Sequence, residues 1–175
     1  MTNLARHWRI GQLVLVLLCV GMMGYALYEQ IYHYLMPCLM CIYQRIAVIG
    51  FGLASLLGLL WKPASKPGVA VVVSLQTLAA VEGFYAAGKH VWLQYGPKEA
   101  EAICTPNLPF PIDLRAPGMP EWAPTVFQPI SECGNIDFTL LGVSMPVWVL
   151  VGFIGMLAAA WLLSLARWKA LAKAG

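Results

Sequence analysis

Charge is what this sequence has least of. Only 11% of its 175 residues are Asp, Glu, Lys or Arg, three are histidine, and 60% are hydrophobic. A soluble domain of this length carries about a quarter charged residues, so an ordinary soluble fold is excluded. With a net charge of +3 the chain has too little excess charge for nucleic acid to be a natural partner. No internal repeat and no low-complexity tract is present, which leaves out repeat arrays and disordered tails. What fills the chain instead is long uncharged stretches, and these predict an integral membrane protein.

Four such runs are separated by polar segments. A basic start, Arg6-His7-Trp8-Arg9, precedes an uncharged run over 10–28. That run is long enough to span a bilayer and no small-x-small cleavage site follows it, so a retained helix is expected rather than a removed signal. The second run, 39–61, holds a single charge, Arg45, and ends at Lys62-Pro63-Ala64-Ser65-Lys66-Pro67-Gly68, where two lysines, two prolines and a glycine predict a tight loop. The third, 69–88, is interrupted only by Glu82. The fourth, 145–166, follows Ser144 as its expected N-cap, with Pro146 in the first turn. The connections are a short one over 29–37 and a long one over 89–144, and eight of the twelve prolines fall between Pro97 and Pro129 in the latter, against long helices there. A single domain over 1–175 is expected: an all-α bundle of four transmembrane helices with a long, proline-rich second outer loop.

The charges orient this bundle. The N-terminal segment, the 62–68 loop and the C-terminal segment hold seven of the eleven Lys and Arg and no acid. By the positive-inside rule both termini are cytoplasmic. Cys38, Cys41, Cys104 and Cys133 then belong to the outer face, which in a bacterium is the oxidising periplasm.

Cys38 and Cys41 organise the rest. Two cysteines separated by two residues close a small disulfide or hold a thiol and a thiolate side by side. Pro37 ends the preceding segment, which places both in the first turn of a helix, where free N–H groups and the helix dipole favour a thiolate. Arg45 is four residues after Cys41, on the same face and roughly 6 Å further along the axis. It either serves chemistry there or snorkels to the headgroups. Cys104 and Cys133 flank the proline-rich segment, where a structural disulfide would contribute about 3 to 4 kcal/mol; two pairs on one membrane face also invite electron exchange between them. Cys19 lies mid-run and reads as inert packing.

These residues carry a resemblance. Pro37-Cys38-Leu39-Met40-Cys41-Ile42-Tyr43-Gln44-Arg45 and Leu141-Gly142-Val143-Ser144-Met145-Pro146-Val147-Trp148 are similar to the two signature stretches of the disulfide bond formation protein B (DsbB) family. Its members are bacterial inner-membrane proteins that reoxidise a periplasmic dithiol oxidase, DsbA, with a quinone. Met40 departs from the apolar residue more usual at its position, a matter of packing. The resemblance covers nearly the whole chain and implies two disulfides, Cys38–Cys41 and Cys104–Cys133. It further implies that Cys104 forms the mixed disulfide with a DsbA-like partner and Cys133 is its mate. Cys38 then exchanges with Cys133, and Cys41 faces the quinone, ubiquinone or menaquinone, whose carbonyl oxygen Arg45 binds. His90 is implied as a second polar contact for the quinone; as a bare residue it reads equally as an interfacial histidine with no role.

Other readings remain at this point. Met36, Cys38, Met40 and Cys41 offer soft ligands for Cu(I) or zinc, but Cys104 and Cys133 are too widely spaced for a zinc knuckle and Arg45 opposes a cation beside the thiolates. A structural membrane subunit with two inert disulfides leaves Arg45 unused. Glu82 is about 9 Å inward from the end of its run and is expected to face the bundle or a partner, as a neutral acid or in a salt bridge with Arg45. Trp122, Val126, Phe127 and Ile130 fall at helical spacing, consistent with an amphipathic segment on the membrane surface or with a plain anchored loop.

Overall fold

The computed structural model describes residues 3–61, 63, 65–97, 104, 114–136 and 138–174. Most of the proline-rich stretch between 98 and 113, Cys104 excepted, lies outside the described residues, as does Lys62. Four long helices, α1 (Asn3–Tyr32), α2 (Leu39–Trp61), α3 (Lys66–Tyr95) and α5 (Met145–Ala174), carry the fold. All four are long and apolar enough to cross a membrane. A one-turn helix α4 (Ala123–Phe127) and a hairpin of β1 (Thr139–Leu140) with β2 (Val143–Ser144) fall in the long connection.

The helices overrun the apolar runs for local reasons. At the end of α1, Glu29 and His33 pair across one turn at 2.6 Å, so charge continues the helix to Tyr32 rather than ending it. Ser65 caps α3 by accepting from the Gly68 N–H at 3.4 Å, and Pro67 fits the first turn; Lys66, Pro67 and Gly68 are therefore helix, not loop. The same helix runs on through Lys89 and His90 to Tyr95. Ser144 behaves otherwise than expected: it pairs in the hairpin, and its buried hydroxyl makes no hydrogen bond among the described residues. The hairpin turns at Leu141 and Gly142, both at positive φ (55° and 78°), a pair that suits a two-residue turn. Trp148 on α5 donates to the Leu140 carbonyl at 3.1 Å and fastens the hairpin to the helix.

Contacts close the bundle in the order α1, α2, α3, α5. Its centre is Leu15, Cys19, Val48, Phe51, Phe153 and Met156, with the small residues Ala47, Ala80 and Ala160 between them. Small residues let apolar helices approach when lipid is the competing solvent. Gly83 is the extreme case: a Cβ there would collide with the Phe153 ring. Gly83→Ala is expected to destabilise the α3–α5 contact by about 1 to 3 kcal/mol, read as a lowered unfolding midpoint in detergent. Cys19 packs its Sγ 3.8 Å from the Met156 thioether, as an inert core residue does. Glu82 does not face the bundle: it is exposed on α3, along with Leu78, Val81 and Tyr85, and no salt bridge joins it to Arg45 among the described residues. Its helical phase, three or four residues from Leu78 and Tyr85, puts it on that outer face.

Candidate active site

The site residues expected from the sequence gather where α1 ends, α2 begins and α3 ends. Cys38 precedes α2 and acts as its N-cap: its Sγ accepts from the Cys41 N–H at 3.3 Å, as a serine hydroxyl does. Only Cys41 is therefore inside the first helical turn. The cap turns the two sulfurs toward each other at 2.9 Å. Both cysteines are free, so this pair stands as a dithiol. Its hydrogen bond with Cys41, and burial, push the Cys38 thiol well above the range of a free cysteine. Cys38 thus holds its proton more tightly than a free cysteine does.

His90 reaches this pair from α3. Its Nε2 is 3.6 Å from the Cys38 Sγ and its Nδ1 is 4.0 Å from the Cys41 Sγ. Gln44, one turn after Cys41, sets its amide nitrogen 3.3 Å from Nδ1 and so steadies the ring. The histidine is buried, 5% exposed. Gln44 appeared in the sequence only as part of the signature stretch; its spacing from Cys41 was the available clue to its place.

Cys104 and Cys133 are joined by a disulfide, with Cα atoms 6.0 Å apart. The chain leading to Cys133 is stitched to the chain leading to Cys38: the Ile130 and Ser131 N–H groups both donate to the Pro37 carbonyl, at 2.8 and 3.2 Å, and Ser131 bridges Cys38 as a parallel strand would. Proline lacks an N–H but keeps a full acceptor, which is used twice here. In consequence Cys38, Cys41, Cys104 and Cys133 meet in one apolar cluster with Leu39, Met40 and Leu93.

Arg45 does not snorkel. Its Nη2 donates to the Gln30 Oε1 at 2.8 Å and its Nη1 to the Val126 carbonyl at 2.9 Å, while Gln30 donates in turn to the Thr125 carbonyl at 2.9 Å. One guanidinium thus ties α2 to α1 and to α4. That explains α4: a single turn between prolines is too short to be a stable surface helix alone, and two buried donors hold its carbonyls. Val126 and Phe127 are half-buried, whereas Ile130 is past the helix on the strand-like segment. Gln30 escaped sequence reasoning because its partners lie on two other elements.

Beside these groups lies a cavity of about 440 Å³, within the range of small-molecule sites. Met22, Ala26, Leu35, Met145 and Val149 give it apolar walls, and Cys41, Arg45 and His90 face it. Gln94 also lines it, and its buried Oε1 has no hydrogen-bond partner among the described residues.

A sequence profile described as Disulfide bond formation protein DsbB matches residues 8–163. Disulfide bond formation protein B of Xanthomonas euvesicatoria pv. vesicatoria is 40% identical over 140 residues, 80% of each chain. The protein of the same description from Chromohalobacter salexigens is 38% identical over 159 residues, 86% of this chain and 90% of that one. The one from Saccharophagus degradans is 35% identical over 167 residues, 95% of each. With four membrane-length helices and a Cys-x-x-Cys pair set among them, the chain belongs to the DsbB family of disulfide bond formation proteins, multi-pass membrane proteins with a thiol oxidoreductase role.

Proposed function

We propose that this protein is a protein-dithiol:quinone oxidoreductase of the bacterial inner membrane, with both termini cytoplasmic and the four reactive cysteines periplasmic. The observation that carries the reading is the meeting of a disulfide, Cys104–Cys133, with a dithiol, Cys38 and Cys41, in one apolar cluster beside an apolar cavity. Thiol–disulfide exchange needs such proximity and an attacking thiolate.

The sequence of exchanges runs as follows. A thiolate of a reduced DsbA-like partner attacks the Cys104 sulfur, forms a mixed disulfide and releases the Cys133 thiolate. The partner's second thiol then attacks its own half of that bond, leaves oxidised, and returns Cys104 and Cys133 as a dithiol. Cys133 next attacks Cys38 in a Cys38–Cys41 disulfide and releases Cys41 as thiolate. Cys104 closes back onto Cys133 and releases Cys38. Two electrons and two protons now reside on Cys38 and Cys41, the arrangement of bonds described above.

The cavity suits a quinone chemically: its lining is mostly apolar, and a guanidinium and an imidazole stand among its lining residues. When bound, it supplies the two-electron acceptor for the dithiol. Arg45 and His90 would hold it at its polar oxygens, Arg45 through N–H donors beyond the two used by Gln30 and Val126. His90, in contact with both sulfurs, is placed to take protons from them. The apolar surroundings exclude water and raise the worth of each charge–dipole contact.

Trapping tests electron uptake. Cys133→Ser leaves Cys104 free and without its resolving thiol, so a mixed disulfide with the reduced partner's monothiol form should accumulate, seen as a shifted band on a non-reducing gel. Cys104→Ser should trap nothing. Trapping through Cys133 instead would reverse the two roles.

A further inference from the structure

We propose that the reduced Cys38–Cys41 pair and His90 together form a binding site for one thiophilic closed-shell divalent cation of the zinc type, whose capture reversibly blocks reoxidation of the pair. The three ligand atoms lie within 4.8 Å of one another. In a tetrahedral zinc site with Zn–S near 2.3 Å and Zn–N near 2.0 Å, sulfur–nitrogen separations are about 3.5 Å and sulfur–sulfur separations about 3.8 Å. The Cys38–His90 separation of 3.6 Å already matches. The sulfur pair, at 2.9 Å, has to open by about 0.9 Å to match the same geometry. Cys41, half-buried and facing the cavity, has the room to make that move.

The electrostatic objection to a cation here is the nearby arginine, and the charge balance of the site answers it. The Arg45 guanidinium donates to Gln30 and Val126, not to the sulfurs. Binding releases two thiol protons, so two thiolates and one dication leave the site neutral. Gln44 completes it: with its amide turned so that oxygen faces Nδ1, it accepts that proton and leaves Nε2 as the ligand. The fourth position opens on the cavity. A Cys38–Cys41 disulfide offers no thiolate, so only the reduced pair binds, and a pair that holds the metal cannot close its disulfide.

The test needs neither quinone nor partner, so it succeeds or fails independently of the proposed electron transfer. Full-length Cys104→Ser/Cys133→Ser protein in detergent is reduced anaerobically, freed of reductant, and titrated with Zn²⁺ against a chromophoric chelator. One zinc per chain and two protons released per zinc are expected, with no binding to the oxidised pair or to Cys38→Ser and Cys41→Ser. His90→Ala should weaken binding at least tenfold. Zinc-edge X-ray absorption on the His90-containing protein should show two sulfurs and one imidazole nitrogen, a readout that stands even where His90→Ala folds poorly. Absence of stoichiometric binding, or a zinc shell of two sulfurs without imidazole, overturns the proposal.

Discussion

Replacing Cys41 with serine is expected to reduce quinone turnover to the uncatalysed background. A disulfide needs two sulfurs, and a serine oxygen neither leaves in an exchange nor forms a bond that carries the electron pair onward. Cys38→Ser should do the same for a second reason. Cys38 caps α2 through its sulfur and lies against the Cys41 sulfur, and serine preserves the cap but not the redox couple. In both variants partner capture at Cys104 should survive, since the proposed exchange is at the Cys104–Cys133 bond. Cys19→Ser, by contrast, should turn over normally, because its sulfur touches only Met156 and the bundle core. Quinone absorbance measures all three; a dead Cys19 variant that expresses normally would contradict the reading of that residue as packing.

Arg45→Met has the next largest expected effect. Methionine keeps length and apolarity but removes both N–H contacts, leaving the Gln30 Oε1 and the Val126 carbonyl unpaired. If the guanidinium also donates to the bound acceptor, quinone reduction should slow by about a hundredfold or more, with a raised apparent KM. Lysine should recover only part of this, because a point donor cannot serve α1, α4 and a ligand at once. Loosening of α4 is a separate effect and needs its own control. Gln30→Leu removes the Arg45 and Thr125 contacts of that side chain but keeps the guanidinium and its Val126 bond. It should speed amide exchange around residues 125–128 while costing far less quinone activity than Arg45→Met. Unchanged quinone kinetics in Arg45→Met would sink the assignment, and equal losses in both variants would assign Arg45 to loop anchoring alone.

Much of the bundle was legible because lipid imposes a simple rule: runs that cross it are apolar and about twenty residues long. The 39–61 run, closed by Pro37 on one side and the Lys62-Pro63 pair on the other, agrees with α2 end to end. The ends of α1 and α3 were not legible, because a polar residue beyond the hydrocarbon does not stop a helix; Glu29 with His33 and the Ser65 cap extend both. The Cys-x-x-Cys pair was visible as a local pattern. The contacts that tune it were not, since His90 and Gln30 meet their partners across helices. Of the two orientations expected for Glu82, toward the bundle or toward a partner, helical phase removes the first, because α3 turns Glu82 outward.

The central claim is that electrons reach the acceptor only through Cys38 and Cys41. A single-turnover experiment tests it most directly: oxidised protein with bound quinone is mixed with one equivalent of reduced partner, and partner oxidation and quinone absorbance are followed together. One quinone reduced per partner disulfide formed is predicted, with the quinone signal lost and the Cys104 mixed disulfide retained in Cys38→Ser. Quinone reduction that persists in Cys38→Ser and Cys41→Ser would contradict the account.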